Sequence, residues 1–126
     1  MEIMENLLYT KDHEWLKIEG NKIYIGITDF AQGELGDVIF VELPSLDTSI
    51  ERGASIATIE AVKTVADLYS PLTGKVIEVN NIIEDEPELI NTDPYGKGWM
   101  VCVESSSSIE SIKTLTSKEY LDFIGK

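Results

Sequence analysis

Apolar and polar residues alternate with a period of two along most of the chain. Trp15-Leu-Lys-Ile-Glu19, a turn at Gly20-Asn21 and Lys22-Ile-Tyr-Ile-Gly-Ile27 read as a β-hairpin with one face buried. Asp37–Leu43 reads as a third strand, closed by Pro44. Gly53 opens a fourth through Ser55–Ile59, and Val65–Tyr69, Lys75–Asn80 and Trp99–Glu104 repeat the alternation. Three short segments break it. Thr28 is placed to cap a helix over Asp29–Leu35 that Gly36 ends. Gly33 inside it costs about 1 kcal/mol relative to Ala, so the helix should be short or irregular. Glu84–Ile90, with acid and Pro87 at its start, predicts a single helical turn. Thr116-Ser-Lys-Glu119 is a capping box, with Leu115 placed to staple onto Tyr120 and with Leu121 and Ile124 extending the apolar stripe. The serine run Ser105–Ser108 reads as the link from the last strand to that helix. The pattern predicts a mainly β domain with short helices and a C-terminal helix.

One reversal lacks ordinary turn chemistry. Ser55–Ile59 and Val65–Tyr69 meet across Glu60-Ala-Val-Lys63-Thr with no Gly, Pro or Asn between them, where a tight hairpin usually has Asn-Gly or Asp-Gly. A lysine at such a tip offers its amine to an outside enzyme while the strands hold its position. That is the placement expected of a covalently modified arm. The ordinary alternative is a solvated turn lysine, and position alone leaves both open.

Size and charge narrow the setting. The chain of 126 residues is expected to form one domain, 1–126, and is long enough to bury a core without a disulfide or metal staple. Cys102, the single cysteine, has no internal disulfide partner and reads as a buried small hydrophobe. Ten basic against 23 acidic residues give a formal charge of −13, which disfavours nucleic acid and anionic membrane as partners. No apolar run reaches the ~18 residues that span a bilayer. The acidic start Met1-Glu-Ile-Met-Glu-Asn6 resembles neither a signal peptide nor a transit segment, so a cytoplasmic protein is expected, or a mitochondrial-matrix one if this is a processed organelle form. One His and one Cys make no zinc site, and the acids form no EF-hand loop, so no metal is expected.

The surroundings of Lys63 resemble the lipoyl and biotinyl carrier domains. In both, the modified lysine sits at a β-hairpin tip between two glycines, and Gly53 (ten residues before) and Gly74 (eleven after) fit that frame. Biotinyl domains carry methionine on both sides of the lysine; Val62 and Thr64 stand here, and Glu60 matches lipoyl carriers. A closer resemblance, over nearly the whole chain, is to the H-protein family of the glycine cleavage system. It rests on His13-Glu-Trp15, Gly26-Ile-Thr-Asp-Phe-Ala-Gln32, Leu35-Gly-Asp-Val38, Phe40-Val-Glu-Leu-Pro44, Glu60-Ala-Val-Lys63 and Asp67-Leu-Tyr-Ser-Pro71. Gly74, Glu78-Val-Asn80, Asn91, Asp93-Pro-Tyr95 and Gly98-Trp99 continue it. Ala61 stands where serine is frequent in the family, and Thr64 where alanine is.

The resemblance implies a barrel-sandwich hybrid fold and one covalent lipoate per chain, in amide linkage at Lys63, with Gly53, Glu60, Val62 and Gly74 supporting the attachment hairpin. It further implies a carrier without catalytic residues in glycine catabolism and one-carbon metabolism. The arm would receive an aminomethyl group from glycine decarboxylase and pass it to a tetrahydrofolate-dependent aminomethyltransferase, and dihydrolipoyl dehydrogenase would reoxidise it. A lipoate ligase or octanoyltransferase would attach the arm. A surface cleft shelters the loaded arm in that family, and Glu14 and Asp67 fit the family's blocks there, where a carboxylate can hold an amine through a charge-assisted hydrogen bond. Both also fit solvated strand-end acids. Serial, transient docking favours a monomer. An octanoyl or lipoyl relay in lipoate assembly needs the same lysine and is the alternative reading.

Overall fold

The computed structural model describes residues 1–106, 108 and 111–126. Among the described residues nine strands form two antiparallel sheets. The first runs β1 (Leu8–Tyr9), β2 (Glu14–Glu19), β3 (Lys22–Ile27), β9 (Val101–Ser105), β8 (Gly74–Val79) and β5 (Ser49–Ile50), in that spatial order. The second runs β4 (Val38–Glu42), β6 (Ser55–Ala61) and β7 (Val65–Tyr69). The β2–β3 turn has Gly20 at positive φ and Asn21 not, which is the type II′ pattern that matches strand twist.

Leu16, Ile23 and Ile25 from the larger sheet and Val41, Ile59 and Leu68 from the smaller one share a single apolar core. At the β1–β3 end the larger sheet is covered on its other face too, by a cluster of Tyr9, Trp15 and Tyr120. Trp15 and Leu16, adjacent on β2, are therefore both buried. Gly26 lies directly across from Trp15, and a Cβ there would stand 2.7 Å from the indole. The barrel-sandwich expectation, mainly β with short helices and a C-terminal helix, is met.

The helices follow their caps. Helix α1 (Asp29–Leu35) starts where Thr28 Oγ1 accepts the Ala31 N–H and ends at Gly36, and it spans only seven residues. Helix α4 (Ser117–Phe123) carries the full capping box between Thr116 and Glu119. Leu115, Tyr120 and Ile124 pack in the Trp15 cluster, which does not include Leu121.

Several boundaries differ from the sequence reading. The single turn expected at Glu84–Ile90 is two short helices, α2 (Ile82–Asp85) and α3 (Leu89–Thr92). Pro87 explains the break, because its ring pushes Glu86 out of helical geometry, to φ −128° and ψ 68°. Trp99 and Met100 precede β9 instead of opening it, and Ser105 closes the strand instead of starting a linker. Ser107, within the serine run, lies outside the described residues.

Candidate functional site

The lysine tip owes its shape to two backbone contacts. Ala61 N–H donates to the Thr64 carbonyl at 2.8 Å and closes the β6–β7 hairpin around Val62 and Lys63. Val62 N–H donates to the Asp37 carbonyl at 3.0 Å, tying the tip to the segment that enters β4. Neither tip residue has positive φ, so the Asn-Gly chemistry of a primed turn is not required. Lys63 is exposed and makes no hydrogen bond or ion pair among the described residues. Its stem passes over Gly36, where a built Cβ would meet Lys63 Cδ at 3.9 Å. Val62 is exposed, and Glu60 stands outward between Phe40 and Val65 in one cross-strand row.

The flanking glycines are needed for different physical reasons. Gly53 has φ +89°, a backbone region closed to most side chains, and its N–H reaches the Ser70 carbonyl at 2.8 Å. Gly74 begins β8 where β9 comes too near for a side chain: a Cβ would overlap the Glu104 carbonyl oxygen and lie 2.9 Å from Val103 Cγ1.

Beside the tip, α1 and β7 enclose an open cleft of about 500 Å³. Thr64 connects it to the lysine turn, Phe30 and Leu35 form an apolar wall, and His13, Glu34 and Asp67 supply its polar groups. Asp67 is exposed, with Thr58 Oγ1 3.4 Å from its carboxylate. Strand β7 is the edge of its sheet, so alternate backbone groups on it turn away from β6 toward this side. One of these, the Tyr69 N–H, donates to Glu14 Oε2 at 3.0 Å.

Glu14 is 2% exposed, so the solvated strand-end reading fails for it. Its other oxygen accepts from Thr10 Oγ1 at 3.0 Å. Burial pushes its pKa up to about 8, with the Asp12 charge adding and the hydrogen bonds from Thr10 and Tyr69 opposing. Glu14 lines a second depression, of about 430 Å³, together with Lys11, Arg52 and Lys113. Asp12 borders both depressions, so the two carboxylates singled out in the sequence occupy adjoining sites and not one.

The cleft wall includes residues to which no local pattern points. His13 has φ +65° and packs 5.0 Å from the Phe30 ring. Its Nδ1 is 2.9 Å from Tyr120 Oη, which is 2.8 Å from Thr28 Oγ1. Burial lowers the His13 pKa, so the neutral ring is favoured. This run of hydrogen bonds joins the start of β2, α1 and α4 over 107 positions of sequence; Thr28 as a cap and Tyr120 as a staple had local signals, and their meeting at His13 had none.

Cys102 is buried, as its alternating strand implied. Among the described residues no group of three or more His, Cys, Asp or Glu is placed to hold a metal, and no helix is long and apolar enough to cross a membrane.

Comparison with known proteins agrees with this geometry over nearly the full chain. A family model described as "Glycine cleavage H-protein" matches residues 7–126. The glycine cleavage system H protein of Brevibacillus brevis is 51% identical over 95% of each chain. That of Staphylococcus saprophyticus is 48% identical over the whole of both. The crystal structure of a glycine cleavage system H protein from Mycobacterium marinum superposes with a TM-score of 0.90 at 38% identity, covering 98% of this chain and all of that one. This chain belongs to the glycine cleavage H-protein family.

Proposed function

We propose that the chain is a single-domain, non-catalytic carrier of the glycine cleavage system, bearing its arm as a lipoyl amide on Lys63. The observation that carries the reading is the amine itself, projected from a hairpin tip and held by no partner group among the described residues. Family membership supports the setting.

Acylation forms one amide bond between Lys63 Nζ and the carboxyl carbon of an activated donor, an acyl adenylate or thioester. The ammonium loses two protons, one to become the nucleophilic amine and one on acylation, and the leaving group keeps the electron pair of the broken C–O or C–S bond. The residues present fit the product, because loss of the ammonium charge strands no carboxylate partner. When bound, the dithiolane supplies a reversible two-electron couple and a sulfur able to carry a one-carbon unit.

The protein's own residues position and shelter. The tip's bonds to Thr64 and Asp37 restrict where the arm begins. The neighbouring cleft offers an apolar wall at Phe30 and Leu35 and carboxylates at Glu34 and Asp67, chemistry suited to a chain ending in an amine. Glu14 is assigned the adjoining depression, where it also secures β7. Tethering raises the local concentration of cargo at each enzyme without a tight complex, which suits a monomer that meets glycine decarboxylase, the aminomethyltransferase and dihydrolipoyl dehydrogenase in turn.

The test is intact-mass spectrometry after incubation with a lipoate ligase, lipoate and ATP. Wild-type protein should gain one lipoyl mass and Lys63→Ala none. The lipoylated product should then stimulate bicarbonate exchange by glycine decarboxylase. Acyl transfer to a second lipoyl domain without that stimulation would favour the relay.

A further inference from the structure

An apolar face surrounds the lysine tip on the outer side of the β4–β6–β7 sheet. The β4–β6 register slips between Val38 and Phe40, and such a bulge breaks the in-out alternation of a strand. Ile39 and Phe40 are consequently both outward, 53% and 51% exposed. Phe40, Glu60 and Val65 form one row across the three strands, and Val65 is 60% exposed. The Val62–Asp37 bond folds the tip against the start of β4, and Val62 is 68% exposed. Four large apolar side chains thus stand outward around one lysine, although a fold with the same core could place polar residues at all four. Exposed carboxylates ring them: Asp37, Glu42, Glu60 and Asp67, none in an ion pair among the described residues.

We propose that Ile39, Phe40, Val62 and Val65 form the docking face for the enzyme that acylates Lys63, which would meet it with an apolar centre and a Lys/Arg-rich rim. The proposal rests on the acyl-acceptor reading of Lys63. Charge complementarity selects the rim, since a chain of net charge −13 presents four exposed acids there, none in an ion pair among the described residues. Reach selects this enzyme over the others. An acylating enzyme must bring its donor carbonyl within bonding distance of Nζ, so its surface closes on residues within one side-chain length of Lys63. Enzymes that use the finished arm work at its far end and can leave this face uncovered. A second copy of the chain fits less well, because its own acidic rim would oppose the first.

The experiment measures kcat/KM for lipoylation by a lipoate ligase with lipoate and ATP, with the protein as the varied substrate and intact mass as the readout. Phe40→Asp and Val65→Asp should each lower kcat/KM about tenfold or more, mainly through KM, as removal of a central interface anchor does. Leu46→Asp, an equally exposed apolar site in the loop after β4, should stay within about twofold of wild type. Glu42→Lys should cost several-fold and flatten the salt dependence of the rate. Circular dichroism and thermal unfolding check that each variant is folded; Phe40→Ser replaces Phe40→Asp if the latter is not. Folded Phe40 and Val65 variants lipoylated at the wild-type rate would overturn the assignment. So would a wild-type dimer that Phe40→Asp dissociates, which would give the face to a second copy. Wild-type protein that takes up no acyl group would overturn the Lys63 reading and this proposal together.

Discussion

At the scale of single residues, Lys63 and Glu14 are opposites. Lys63 is exposed and has no partner among the described residues, so Lys63→Ala should abolish acylation while leaving unfolding free energy within about 0.5 kcal/mol of wild type. A large stability loss in denaturant titration would make the side chain structural. Glu14 is buried with both oxygens engaged, and its folded pKa of about 8 lies above the 4.5 of a solvated glutamate. Between those values the folded state holds a proton that the unfolded chain has released. Stability from this group is therefore greatest below the unfolded pKa and falls as pH rises to about 8, above which both states are ionised. Gln at this position resembles the protonated acid at every pH. The stability of Glu14→Gln relative to wild type should improve by roughly 2–4 kcal/mol from pH 5 to pH 8. Equal pH profiles by urea titration would show that Glu14 is ionised in the fold. The exposed hairpin-tip position of Lys63 was legible because its signal is local: two strands that meet across it without Gly, Pro or Asn. The burial of Glu14 was not, because it is set by the Thr10 hydroxyl and by Tyr69 N–H, 55 positions away.

At the scale of elements, periodicity located the seven longer strands and capping chemistry located α1 and α4, since both signals lie within the segment they define. Strands β1 and β5 have two residues each, too short to show a period, and exist because partners β2 and β8 pair with them. The bulge in β4 was equally hidden, since Val-Ile-Phe-Val is apolar throughout and does not say which residues turn outward. The two frame glycines test how far element packing depends on absent side chains. Gly53→Ala strains one exposed residue at positive φ and should cost about 1–3 kcal/mol. Gly74→Ala sets a methyl against the backbone of β9 at the centre of a β5–β8–β9 crossing, where only separation of strands relieves it. It should cost distinctly more, about 3 kcal/mol or above. Thermal and urea unfolding of both variants would rank them, and the reverse order would show that β8 can shift away from β9 cheaply.

At the scale of the whole molecule, charge acts on stability and on encounter in opposite directions. Thirteen excess negative charges repel one another more strongly in the compact fold than in the expanded chain. Two ion pairs are present among the described residues, Lys17–Glu19 at 3.1 Å and Lys75–Asp47 at 3.8 Å, and at least half of each side chain is exposed. Exposed pairs contribute about 0–1 kcal/mol each, so screening removes little attraction and much repulsion. Raising sodium chloride from about 0.02 to 0.3 M at neutral pH should therefore raise Tm by roughly 3 °C or more. The same addition should slow docking of a basic-rimmed enzyme on the acidic face around Lys63, because screening weakens long-range attraction. Tm by calorimetry and the lipoylation rate, measured across one salt series, should move in opposite directions. A Tm that falls with salt would mean that specific ion pairs, and not net repulsion, dominate the electrostatics of the fold.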